Sequence, residues 1–120
     1  MESLNISMEN SLFSIPLLVG FIFALVGSLM YQFPPQDINP LVGYRTKNSM
    51  KSQERWDFAQ KYSSKLMIYL GTGLMFLSVI GLVVNIDEST GGFISMGEIL
   101  LVIIILIYKT ESAIKQKFGK

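Results

Sequence analysis

Residues Ile99–Ile107 read ILLVIIILI, an unbroken aliphatic run with no polar position in it. A helix of a water-soluble bundle carries a polar stripe at 3.6-residue spacing, and here every face is apolar. The run lies inside a longer block, Phe93 to Tyr108, and two further blocks precede it, Phe13 to Tyr31 and Leu66 to Val84. Each is roughly 16 to 20 residues long, which at about 1.5 Å per residue approaches or matches a hydrocarbon core of about 30 Å. Half of the 120 residues are hydrophobic and only 16% are charged, well off the soluble norm. The chain reads as an all-α integral membrane protein, a single domain over residues 1–120 with three transmembrane helices and the lipid bilayer as its first partner.

Between the first two blocks lies the polar and aromatic stretch Gln36 to Lys65, QDINPLVGYRTKNSMKSQERWDFAQKYSSK. It holds Arg45, Lys47, Lys51, Arg55, Lys61 and Lys65 against Asp37, Glu54 and Asp57. The tail after Tyr108 holds Lys109, Lys115, Lys117 and Lys120 against Glu111. By contrast, the first ten residues carry only Glu2 and Glu9, and the connection between the second and third blocks only Asp87 and Glu88. All ten basic residues therefore fall on one side of a three-pass chain, and the positive-inside rule makes that side cytoplasmic, N-out and C-in. The first block has neither a basic flank nor an A-x-A site after it, so it is expected to stay as an anchor rather than be cleaved.

Taken in order, Met1 to Asn10 reads as a short acidic outer tail. Pro16 is expected near the start of the first helix, where its missing donor costs least. Gly20, Ala24 and Ser28 form a small-xxx-small stripe suited to close helix approach. Tyr31 and Phe33 mark an interfacial belt, and Pro34-Pro35 ends the helix. Thr46 is a candidate N-cap for a short amphipathic cytoplasmic helix, with Trp56, Ala59, Tyr62 or Ser63, and Leu66 on one face. A basic face opposite Trp56 suits the membrane surface, with a bend into the second span. In that span Gly71, Gly73 and Gly81 again permit close approach. Asn85 to Gly92 reads as an outer loop of turn residues.

Histidine and cysteine do not occur, which removes the usual general base, the thiol nucleophile and the commonest metal ligands. No phosphate-loop pattern is present, so neither an enzyme, a cofactor nor a metal site is expected. Carboxylates interspersed among the basic residues of the polar stretch, and the adjacent membrane, argue against nucleic acid. Glu98 is the ionisable residue inside a span, on its outer half. The aliphatic run favours insertion by about 3 to 5 kcal/mol, against at most about 3 for the charge, so the helix inserts with Glu98 in place. An intramembrane carboxylate reads as a proton or cation site, or as a partner for a polar group on another helix, with reach to interfacial water as the plain alternative.

At Phe33-Pro34-Pro35, Ile38-Asn39-Pro40, Gly43-Tyr44-Arg45-Thr46, Ser49-Met50 and Trp56-Asp57-Phe58-Ala59 the chain resembles the SdpI family of small bacterial membrane proteins. The ordered combination carries the resemblance, from the end of the first span through the second. It implies a multi-pass protein of the bacterial cell membrane and immunity (bacteriocin resistance) toward a secreted sporulation-delay peptide toxin. For the named member it also implies sequestration of a cytoplasmic transcriptional regulator. Asn39, Gly43, Tyr44, Arg45, Thr46, Ser49 and Trp56 are then the residues expected to bind toxin, its membrane target or another partner. Each has a structural reading beside it: Gly43 as a bend, Thr46 as a cap, Trp56 as belt. A third reading is an ion-coupled transporter component centred on Glu98, for which three spans are a thin bundle, so that it would call for a homo-oligomer.

Overall fold

The computed structural model describes residues 10–119; the acidic tail expected at the amino terminus lies outside the described residues apart from Asn10. Three helices follow one another: α1 (Ser11–Gln32), α2 (Gln53–Ile80) and α3 (Glu88–Phe118). All three are long and apolar enough to cross a membrane. Of the ILLVIIILI run only Val102 is buried, while Leu100, Leu101, Ile103, Ile104 and Ile107 point away from the bundle. A continuous apolar belt of this kind is a lipid-facing surface, since soluble proteins do not leave one exposed.

At about 1.5 Å per residue α2 and α3 run about 42 and 46 Å, well beyond a core of about 30 Å. The excess lies at one end, where α2 starts before Leu66 and α3 continues past Tyr108 to Phe118. There Tyr44, Ala59 and Ile114 form a small core with Phe58 and Phe118 against it. At the opposite end the start of α1 is tied to both other helices. The Asn10 amide donates to the Gly81 carbonyl (3.0 Å), the Ser11 hydroxyl to the Glu88 carbonyl (3.1 Å), and the Ser95 hydroxyl to the Ser11 carbonyl (2.9 Å).

The α1–α2 pairing is by far the most extensive of the three. It rests on glycine: a Cβ at Gly71 would sit 2.5 Å from the Gly20 carbonyl and 2.7 Å from the Ala24 nitrogen. Further along, a Cβ at Gly27 would meet the Ser64 carbonyl at 2.8 Å. Gly27 therefore joins Gly20 and Ala24 on the close-approach line, because 3.6 residues per turn brings position i+7 back to it. Gly73, expected to share this role, faces open space.

Several local expectations are corrected. Ser52, not Thr46, caps α2, its hydroxyl accepting from the Arg55 N–H at 3.1 Å. Residues 53–65 are continuous with the second span, and no separate short helix precedes it. Trp56, Ala59 and Ser63, the face expected toward lipid, are buried inside the bundle. Pro16 does lie near the start of α1, in its second turn. The outer loop is shorter than Asn85 to Gly92, because Asp87 caps α3 through the Thr90 N–H (3.2 Å) and hydroxyl (2.7 Å), and Gly91 and Gly92 are helical. Those bonds from Thr90, its hydroxyl first, hold the Asp87 carboxyl below its usual range.

Candidate functional site

The polar end of the bundle is built around a loop, residues 36–52, that folds back on α2 and α3 rather than standing off in water. Asn39 shapes its first bend. Its side-chain oxygen accepts from the Leu41 and Val42 N–H groups at 2.9 and 2.7 Å, and its amide donates to the Asp37 carbonyl at 2.9 Å. Gly43 has φ +110°, where a side chain is strained, and a Cβ there would meet the Gln60 amide oxygen at 2.7 Å. Immediately after it, Gln60 grips the backbone of Tyr44 twice, accepting from its N–H and donating to its carbonyl, both at 2.8 Å. Gln60 is fully buried, so this bidentate clamp replaces the water that both groups give up.

Tyr44, Thr46 and Asn48 then reach across to one residue of α3, Glu111. The Tyr44 and Thr46 hydroxyls both donate to Glu111 Oε2 at 2.7 Å, and the Asn48 amide donates to Oε1 at 2.8 Å. Ser49 completes the loop: its buried hydroxyl accepts from the Thr46 N–H at 2.8 Å and donates to the carbonyls of Tyr44 and Thr46, both at 3.1 Å. Glu111 lies beyond the apolar block of α3. Burial pushes its pKa up, but the bonds from Thr46, Tyr44 and Asn48 and the charge of Lys115 outweigh this and hold it below the usual carboxylate range. The Tyr44 phenol moves the other way, raised first by burial and then by the Glu111 carboxylate it touches. Glu111 thus stays ionised and Tyr44 stays a donor at neutral pH, which keeps the latch closed.

Two further contacts complete this end. The indole N–H of the fully buried Trp56 donates to the Pro35 carbonyl at 2.7 Å, joining the end of α1 to α2. The Arg55 guanidinium lies 5.4 Å over the Phe118 ring and donates to the Phe118 and Gly119 carbonyls at 3.4 and 3.3 Å, closing the last turn of α3.

Of the expected binding residues, Asn39, Gly43, Tyr44, Thr46, Ser49 and Trp56 are thus occupied with holding the loop. Arg45 differs: its side chain is exposed, and nothing among the described residues binds it. Beside it in the chain Leu41 is 82% and Val42 59% exposed. They edge an apolar groove of about 410 Å³ whose floor includes Val26, Met30, Met67 and Leu106. A second, more polar groove of about 590 Å³ lies between Tyr31, Pro34, Asp37, Asp57 and Lys61. Glu98 belongs to neither: it lies about 20 Å along α3 from Glu111, with Oε1 buried and unpartnered among the described residues. Within the same residues no three His, Cys, Asp or Glu side chains gather as a metal would need.

Asn48, Gln60 and Glu111 were not legible as site residues. Glu111 alone left a trace, as the lone carboxylate in an otherwise basic tail.

A profile of the SdpI/YfhL protein family matches residues 36–109, the polar loop and the two spans that hold it. The chain is also 44% identical over 52 residues to the uncharacterized protein YfhL of Bacillus subtilis (strain 168), a match covering 43% of this chain and 47% of that protein. The shared region is thus about half of that relative's length. No solved structure matches the chain.

Proposed function

The chain belongs to the SdpI/YfhL family and is a multi-pass membrane protein, and on that premise we propose that it is an immunity protein, protecting a bacterial cell from a secreted sporulation-delay-type peptide toxin. It acts by occupancy. A presented face of the polar loop, Leu41, Val42 and Arg45, binds the toxin or its membrane target and denies the productive membrane state.

The observation that carries this reading is the division of labour within the family's matched segment. Most of its polar side chains hold the loop rigid, so that two large apolar residues and a free guanidinium stand outward at low conformational cost. Covering Leu41 and Val42 is worth about 3 kcal/mol by apolar area. Arg45 adds a planar fork for a carboxylate or phosphate that lysine does not reproduce. The polar end is cytoplasmic in this reading, because all ten basic residues belong to segments that lie between or after the spans on that side. The same face would serve a cytoplasmic regulator if the toxin is not the ligand.

The test is survival of a toxin-sensitive strain under sporulation-delay toxin, expressing the parent chain, Arg45→Lys, or the double Leu41→Ser/Val42→Ser at matched membrane abundance. The parent protects and both variants protect less. A correctly inserted parent that gives no protection rejects immunity to that toxin, and variants that protect fully remove this face from the mechanism.

A further inference from the structure

α2 and α3 touch far less than α1 and α2 do, and near the polar end they leave a groove of about 300 Å³ lined by Tyr62, Lys65, Leu66, Tyr69 and Lys109. The chain pattern puts this groove at one depth. Lys65 immediately precedes the second apolar block and Lys109 immediately follows the third. Because α2 enters and α3 leaves the hydrocarbon at this same end, both ammonium groups sit at its boundary. Tyr62, Lys65, Leu66 and Tyr69 recur at three- and four-residue spacing and so form one stripe of α2. Tyr69 lies a turn deeper than Lys65 and is 69% exposed on the lipid side.

Both lysines are exposed, and among the described residues neither pairs with a carboxylate or an aromatic ring, unlike Lys61 over Tyr31 and Lys117 over Phe58. No carboxylate lines the groove. Two unpaired cations and the Tyr62 phenol at headgroup depth, above Leu66 and the Tyr69 ring a turn deeper, match one kind of occupant. We propose that this groove binds a single anionic phospholipid, its phosphate between Lys65 and Lys109 with the Tyr62 hydroxyl as a further donor, and an acyl chain along Leu66 and the Tyr69 ring. Basic pockets between helices on the cytoplasmic side recognise anionic headgroups by this combination of charge and depth. The site is separate from the presented face of the loop and does not depend on the immunity reading.

The experiment titrates the purified full chain, in neutral detergent, with phosphatidylglycerol or phosphatidylcholine and reads bound lipid by native mass spectrometry. The parent retains one phosphatidylglycerol in preference to phosphatidylcholine. Lys65→Gln/Lys109→Gln weakens phosphatidylglycerol by about thirtyfold and each single replacement by about fivefold, with phosphatidylcholine unchanged. Lys47→Gln/Lys51→Gln removes the same charge from the exposed loop and leaves the affinity within about threefold of the parent. Equal losses in the two double variants would show diffuse attraction to a basic surface and overturn the proposal. So would the lack of a phosphatidylglycerol preference, or displacement of the lipid by millimolar inorganic phosphate, which would make the ligand a free anion.

Discussion

Replacing Glu111 by Gln should loosen the polar loop without disturbing the membrane-spanning bundle. The glutamate accepts three hydrogen bonds, from Tyr44, Thr46 and Asn48, at 2.7, 2.7 and 2.8 Å. A hydrogen bond to a charged acceptor contributes about 1.5 to 3 kcal/mol and a neutral one about 0.5 to 1.5. Glutamine keeps the shape but loses the charge, and its amide must turn its oxygen toward Tyr44 and Thr46, which leaves an N–H pair facing the Asn48 amide. Asn48 can answer by flipping. The expected loss is about 2 to 3 kcal/mol after water has access to part of the cluster. Hydrogen exchange of the amides of residues 44–50, in detergent at neutral pH, should accelerate by roughly 30- to 150-fold, since about 1.4 kcal/mol is a factor of ten. Amides of α1 and α2 around Gly20 and Gly71 should not change. The latch also carries a pH signature. Because the folded pKa of Glu111 lies below its usual 4.5, its contribution is present above that value and fades as pH falls through the folded pKa. The protection of the parent loop, taken relative to the intrinsic exchange rate of each amide at that pH, should therefore fall below about pH 4.5 and converge on that of the glutamine variant, whose protection lacks this dependence. Unchanged exchange at residues 44–50 in the variant would refute the latch, and equal acceleration in all three helices would show that Glu111 supports the whole fold instead.

Three other outcomes follow from the packing. Gly71→Val drives a side chain into the Gly20 carbonyl and Ala24 nitrogen and should cost more than about 2 kcal/mol, whereas Gly73→Ala meets nothing within 4 Å and should be neutral or stabilising by up to about 1 kcal/mol; thermal denaturation in detergent separates the two. Trp56→Phe keeps most of the buried volume but orphans the Pro35 carbonyl, and should lower stability by about 1 to 3 kcal/mol, read as faster proteolysis at residues 33–37. Glu98→Gln, remote from the loop, should leave survival under toxin unchanged at equal membrane abundance, and loss of protection there would bring the transport reading forward.

What could be read along the chain is what adds up along the chain. Apolar length, as in ILLVIIILI, predicts spans because insertion free energy is a sum over consecutive residues. The one-sided placement of Arg and Lys marks a common end for the same reason. Turn chemistry was partly legible: Pro34-Pro35 ends α1, and Gly43 bends the loop with φ +110°. Thr46 shows where such reading stops. Its hydroxyl does accept from the Ser49 N–H at 3.1 Å, as a cap would, but only a turn follows and the helix starts at Ser52; the same hydroxyl donates to a carboxylate 65 positions away on α3, a contact that local sequence does not contain. Trp56 reads as an interfacial anchor and is instead fully buried, its indole N–H bonded to the Pro35 carbonyl 21 positions back.

Local composition by itself therefore determined the class of the molecule, its three spans and the common end at which its charges gather. Only the tertiary structure decided that the polar stretch is a fastened loop with Arg45, Leu41 and Val42 outward, that Gly27 meets α2, and that Lys65 and Lys109 share a groove. Those facts depend on how far each helix is rotated about its axis and where it slides against its neighbour. Both are settled by backbone contacts at glycines and by hydrogen bonds between distant residues, which no sum along the chain contains.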